Sequence, residues 1–184
     1  MSSHHLVYRL QSRTGSQQLK QSEEPKQTID KHEIIVKIRA VSLNYRDIVV
    51  ANRAYPFPVK DKVVPCSDAA GEVIEVGSAV EGFRIGDCVI GNFDPTNLYG
   101  PQVDWNHGHG GPIDGVLRQY VSFPASAVAR IPESSRLSYP QMAALVCTGV
   151  TVWNALYGAI PLKPGQTILF QGMQFLPVHN CGDC

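Results

Sequence analysis

Gly71-Glu72-Val73-Ile74-Glu75-Val76-Gly77-Ser78-Ala79-Val80-Glu81-Gly82-Phe83-Arg84-Ile85-Gly86-Asp87-Cys88-Val89-Ile90-Gly91 sets turn glycines at 71, 77, 82, 86 and 91 around short Val/Ile segments. Glu72 to Val76 and Cys88 to Ile90 read as strands, and short strands at that spacing predict a small antiparallel barrel. Upstream, Ile34, Val36, Ile38 and Ala40 alternate with Ile35, Lys37, Arg39 and Val41. That period-two pattern predicts one long strand from Glu33. It runs into Asn44 to Asn52, which reads as a helical turn or two, and then into a loop whose Pro56, Pro58 and Pro65 rule out a central strand. The first thirty residues are the most polar of the chain and read as a frayed edge hairpin.

Downstream, Asn92 to Gly115 is a long loop punctuated by Pro95, Gly100, Pro101, Gly108, Gly110, Gly111 and Pro112, and it carries Trp105, His107 and His109. Long loops in compact domains are usually functional or mobile. With no third partner nearby, the two histidines read as solvent-exposed, and Cys66 reads as a packed thiol. Strands resume at Leu117 to Phe123 and Ala127 to Ile131. Tyr139 to Tyr157 then shows the Ala, Leu and Met spacing of helices, ended by Pro161 to Gly165. Pro164 to Gly172 reads as a turn, a buried strand and the first glycine of a phosphate-binding loop, after which twelve residues remain. Twelve residues cannot form a dinucleotide-binding domain. The tail from Met173 carries Pro177, His179, Cys181 and Cys184 and reads as unrelated sequence with no scaffold to build a redox or metal site.

With 184 residues, 43% apolar and 17% charged, the chain can bury one good core. Lys+Arg and Asp+Glu both number 16, so the net charge is zero and gives no footprint for nucleic acid or an anionic membrane. The start has no signal-peptide core, and no stretch approaches the ~20 apolar residues that span a bilayer. A soluble cytoplasmic protein is expected. Five cysteines at irregular spacing fit reduced thiols rather than a disulfide framework.

Six motifs in register give the chain a family. VSLNYRD (Val41 to Asp47), PCSDAAGEVIEVG (Pro65 to Gly77), FRIGDCVIG (Phe83 to Gly91), DGVLRQYV (Asp114 to Val121), LVCTGVTVWNALYG (Leu145 to Gly158) and LKPGQTILFQG (Leu162 to Gly172) resemble the medium-chain dehydrogenase/reductase superfamily. The likeness is to its zinc-independent alcohol dehydrogenase-like and quinone oxidoreductase-like branch. It implies a mainly β, α+β fold: a GroES-like catalytic and substrate domain over 1–135, linking helices over 136–165, the first Rossmann strand over 166–172 and an unrelated tail over 173–184.

The resemblance also implies the chemistry. Zinc-dependent relatives carry a Cys three residues before the Asp of the first motif and a His-Glu pair before Ala-Ala-Gly of the second. Here those places hold Asn44 and Ser67-Asp68, which are poor zinc ligands. Cys147 falls at the third ligand's place, but one thiol does not hold a zinc, and it reads as a small buried residue at a helix start. A metal-free reductase polarises its acceptor with hydrogen-bond donors while NADPH or NADH gives the hydride. The resemblance assigns catalysis to Asn44, Tyr45, Asp47 and Tyr55, the last as a proton donor, and cofactor contact to Arg46 and Thr151, with Arg46 or Tyr45 near the phosphates. Asn44 and Asp47 as mere helix caps, and Tyr55 as barrel packing, stay open. The expected activity is reduction of an aldehyde, ketone, quinone or enone, or the reverse, with this chain an inactive fragment for want of the cofactor fold. The alternative is a non-catalytic barrel that joins full-length subunits or binds small ligands. Apolar positions such as Leu145, Val152 and Leu156 favour homo-oligomers.

Overall fold

Residues 3–169 are described in the computed structural model. β1 (His4–Leu10) and β2 (Leu19–Pro25) form an antiparallel hairpin. The expected frayed ends are absent: the register is unbroken from His4↔Pro25 to Leu10↔Leu19. Arg9 fixes it, reaching Glu24 across the hairpin at 2.8 Å and Asp114 beyond it at 2.9 Å. Polar composition did not mean weak order, because the hairpin is held through charge.

The alternating stretch becomes β3 (Glu33–Ser42), which leads into α1 (Tyr45–Ala51). After the proline loop come β4 (Asp68–Val76), β5 (Cys88–Gly91), β6 (Tyr120–Pro124) and β7 (Val128–Arg130). These five strands make one antiparallel sheet in the order β6-β3-β4-β5-β7. The strict alternation of β3 fails where its register against β4 shifts between Ile35 and Val36, and Ile34, Ile35 and Val36 are all buried. An extra residue on one strand re-aims its neighbours and bends the ladder. The main core gathers Ile34, Val36, Val73, Val89, Val121 and Phe123. Gly91 admits the Phe123 ring, since a Cβ there would stand 2.6 Å from it.

α2 (Tyr139–Ala144) runs into a π-turn (Leu145–Gly149) and then α3 (Val150–Tyr157). α2 starts on a capping box in which the Ser138 N–H donates to Gln141 Oε1 at 2.9 Å. Its Met142 and Ala143 bury against Ala70 of β4 and Ala40 of β3. The chain forms two compact units, Met1–Thr151 and Val152–Cys184, so α2 and the π-turn belong with the barrel. In the second unit Trp153 and Tyr157 pair their rings at 4.8 Å, and a turn follows at Pro164-Gly165. Of the strand expected over 166–172, residues 166–169 pair with no strand among the described residues; a parallel strand has no ladder without neighbours. Residues 170–172 and the tail, with His179, Cys181 and Cys184, lie outside the described residues. Among the described residues no helix is long and apolar enough to cross a membrane.

Candidate functional site

The β3–α1 corner is built by the helix cap itself. Asn44 is the N-cap of α1; its N–H donates to Asp47 Oδ2 at 2.8 Å, and the Asp47 N–H donates back to the Asn44 carbonyl at 3.0 Å. The other carboxylate oxygen, Asp47 Oδ1, is buried, and the Cys66 thiol interacts with the carboxylate. Burial pushes the Asp47 carboxyl above its ordinary range, opposed by the Asn44 N–H and the Arg46 charge. Tyr45, next to them in sequence, is 80% exposed.

Arg46 is drawn into the neighbouring loops. Its Nη1 donates to the His109 carbonyl at 2.8 Å, and the guanidinium lies between the rings of Tyr55 and Phe93, 4.6 and 4.8 Å from their centroids. Gly111 makes the room: a Cβ there would stand 2.5 Å from Arg46 Nη2. Tyr55 meets Phe57 edge-on at 5.4 Å, and Phe57 stacks on Trp105 at 4.6 Å and 9°. The structure thus joins Arg46 and Tyr55 in a cation–aromatic stack that ties the proline loop to the 92–115 loop. Arg46 would have to leave His109 to meet a phosphate.

Asp68, the first residue of β4, is fully buried. Ser67 Oγ donates to its Oδ1 at 2.6 Å, and the Cys147 N–H of the π-turn donates to its Oδ2 at 3.0 Å. Cys66 sits between the two aspartates, its thiol pushed far up by burial and then by Asp47. Cys147 was expected buried at a helix start; it is exposed and lies in the middle of the π-turn, its N–H bonded to Asp68 while its side chain faces outward. Its thiol is raised by partial burial and by Asp68, with the Thr151 hydroxyl beside it working the other way. Asp47 thus meets the Cys66 thiol, while Asp68, Cys147 and Thr151 follow one another through the Cys147 N–H and thiol. Beside the π-turn a cavity of about 230 Å³ is lined by Ile90, Asn92, Leu98, Ala127, Val146 and Val150.

This donor set does not fit a catalytic zinc. Asn44 and Ser67 offer a neutral amide and a hydroxyl, and both Asp68 oxygens already accept hydrogen bonds. Burial pushes both nearby thiols above their ordinary range, whereas zinc needs thiolate. Among the described residues no three His, Cys, Asp or Glu side chains converge as metal ligands. The Thr151 side chain is exposed.

His109 corrects the reading of both loop histidines as solvent-exposed. It is 5% exposed, its Nδ1 pairs with the Asp114 carbonyl at 3.0 Å, and its ring meets Phe123 edge-on. The small flanking glycines let the imidazole sink inward. His107 stays at the surface and faces Asp104 at 3.2 Å. Three further residues escaped the sequence reading. Asp68 had a signal, a charge among small residues at the head of a buried strand, which demands partners. Asp94-Pro95-Thr96-Asn97 has an Asx-turn signature, and buried Asp94 accepts from the Thr96 N–H and hydroxyl and from Gln102. Asp114 had none, for its partners Arg9 and Lys60 are remote in sequence.

Comparison with known proteins places this geometry. The alcohol dehydrogenase GroES-like domain family matches residues 30–133. A zinc-type alcohol dehydrogenase-like protein of Schizosaccharomyces pombe is 40% identical over 164 residues, 86% of this chain and 47% of that protein. Among solved structures, a protein assigned as an alcohol dehydrogenase from Sinorhizobium meliloti 1021 is 34% identical with a TM-score of 0.73, over 85% of this chain and 46% of its own. A zinc-binding dehydrogenase of the same organism, bound to NADP, shares the fold at 22% identity and a TM-score of 0.66, over 78% of this chain and 42% of its own. The chain spans about half the length of these relatives. With an antiparallel barrel, a capped β3–α1 corner and the family match over most of its length, the chain belongs to the alcohol dehydrogenase GroES-like domain family of the medium-chain dehydrogenase/reductases.

Proposed function

We propose that this domain is the catalytic half of an NAD(P)H-dependent oxidoreductase that works without zinc and reduces an aldehyde, ketone, quinone or enone. What supports the reading is the hydrogen bonding of Asn44, Ser67 and Cys147, the positions at which zinc-dependent relatives are expected to carry ligands. When bound, the nicotinamide supplies the hydride. The Asn44 carboxamide and the Thr151 hydroxyl polarise the acceptor oxygen, in the manner of an oxyanion hole. Asp47, its carboxyl raised by burial, stands beside them as a candidate to pass a proton. Tyr55, on the Arg46 guanidinium, is a second proton donor, and exposed Tyr45 reaches the cofactor side.

In the family pattern the residue that would read the cofactor's ribose lies past Gly172, and the reading covers NADPH and NADH alike. A cytoplasmic place and homo-oligomer formation belong to the same reading; exposed Leu43, Ile48 and Leu145 give association an apolar surface. The test joins residues 1–172 to the nucleotide-binding half of the Sinorhizobium meliloti relative and follows NADPH oxidation with pentanal, cyclohexenone and a benzoquinone. Turnover that falls by about tenfold or more in Asn44→Ala and Thr151→Ala is expected. A chimera that binds NADPH and reduces none of them refutes the reading.

A further inference from the structure

We propose that Asp68 is a positioning residue that clamps the π-turn to the barrel and thereby sets the direction in which Cys147 and Thr151 face. A fully buried carboxylate needs partners for its lone pairs. Asp68 finds one in Ser67 Oγ at 2.6 Å and the other in the Cys147 N–H at 3.0 Å, 79 residues away and inside the π-turn. Both bonds are charge-assisted, the stronger class. A π-turn is a rare departure from the α-helical ladder and is typical of functional sites. Something outside the ladder has to sustain it, and here a strand-borne carboxylate takes an N–H from its middle residue.

The consequence follows from helix geometry. One inserted residue rotates everything after it by about 100°. Val146 and Val150, four apart, line the cavity, while Cys147 and Thr151, also four apart, share the neighbouring stripe beside Asp68. If the clamp is lost and the segment relaxes to a regular α-helix, the Cys147 N–H returns to the helix ladder and the stripe of Cys147 and Thr151 turns relative to Asp68. The clamp stands on these distances alone; its value for polarising a carbonyl rests on the reductase reading.

The experiment uses the isotope-labelled 184-residue chain and three forms: wild type, Asp68→Asn and Asp68→Leu. In Asp68→Leu the Cys147 amide should exchange with solvent at least about tenfold faster, and the carbon shifts from Cys147 to Thr151 should move to regular-helix values. The Val73, Val89 and Val121 amides should keep their protection. In Asp68→Asn, which keeps shape and one acceptor, the Cys147 N–H proton should move upfield. Peptide-resolved alkylation of Cys147 should also shift to lower pH as the neighbouring negative charge goes. If Asp68→Leu does not fold, the Asp68→Asn arm decides. Unchanged Cys147 shift and alkylation profile in Asp68→Asn, or a uniform loss of protection across the barrel, overturns the clamp. No arm needs cofactor, so a failed clamp and a chimera that reduces nothing are separate results.

Discussion

Replacing Asp114 with Asn tests the charge hub that ties the hairpin to the barrel. The carboxylate takes Arg9 Nη1 and Nη2 at 2.9 and 3.2 Å, Lys60 Nζ at 2.8 Å and the Val64 N–H at 3.0 Å. Burial alone would raise its pKa, but the bonds from Arg9, Lys60 and Val64 outweigh that and hold it at about 2, against an ordinary 3.8. Holding the carboxylate at about 2 rather than 3.8 is worth about 2.4 kcal/mol, and screening at half-exposed Lys60 brings this to about 2 kcal/mol. A carboxylate held below its unfolded value stabilises the fold above that value, and the gain is lost as pH falls through the folded value. Asp114→Asn should therefore unfold about 2 kcal/mol more easily in urea near pH 7, with the same slope. The gap should close as pH falls from about 5 to about 2. Equal midpoints near pH 7, or a gap that persists at about pH 2, would refute the hub.

Burial lowers the His109 pKa from 6.5, so the unfolded chain takes up this proton first and stability should fall as pH drops below about 6.5. His109→Gln should flatten that slope between about pH 6.5 and 5 in urea titrations, and an unchanged slope would place the effect elsewhere. Elemental analysis of the purified chain should find no stoichiometric zinc. One zinc per chain that disappears in Cys147→Ala would overturn the metal-free reading.

The barrel was legible because its signal is local. The glycines from 71 to 91 mark turns, and β-branched residues between them have one face to bury, so β4 and β5 follow from a few residues each. β3 was legible as a strand but not in its bulge, since a register shift depends on what β4 presents opposite it. The helical stretch from Tyr139 was legible as helix and not as a π-turn, for nothing between 145 and 149 announces that a carboxylate from β4 will claim an amide there. His109 was misread because a Gly- and Pro-rich loop resembles solvent-exposed chain, while Asp94 and Asp114 fold that loop inward through bonds no periodicity records. The same limit governs the site. Motif order pointed to Asn44, Asp47 and Thr151 as candidates, but only the fold shows the Asp68 bond to the Cys147 N–H, and that Arg46 and Tyr55 meet in an aromatic stack. Local pattern fixes elements; long-range polar bonds, invisible to period or propensity, fix which side chains meet.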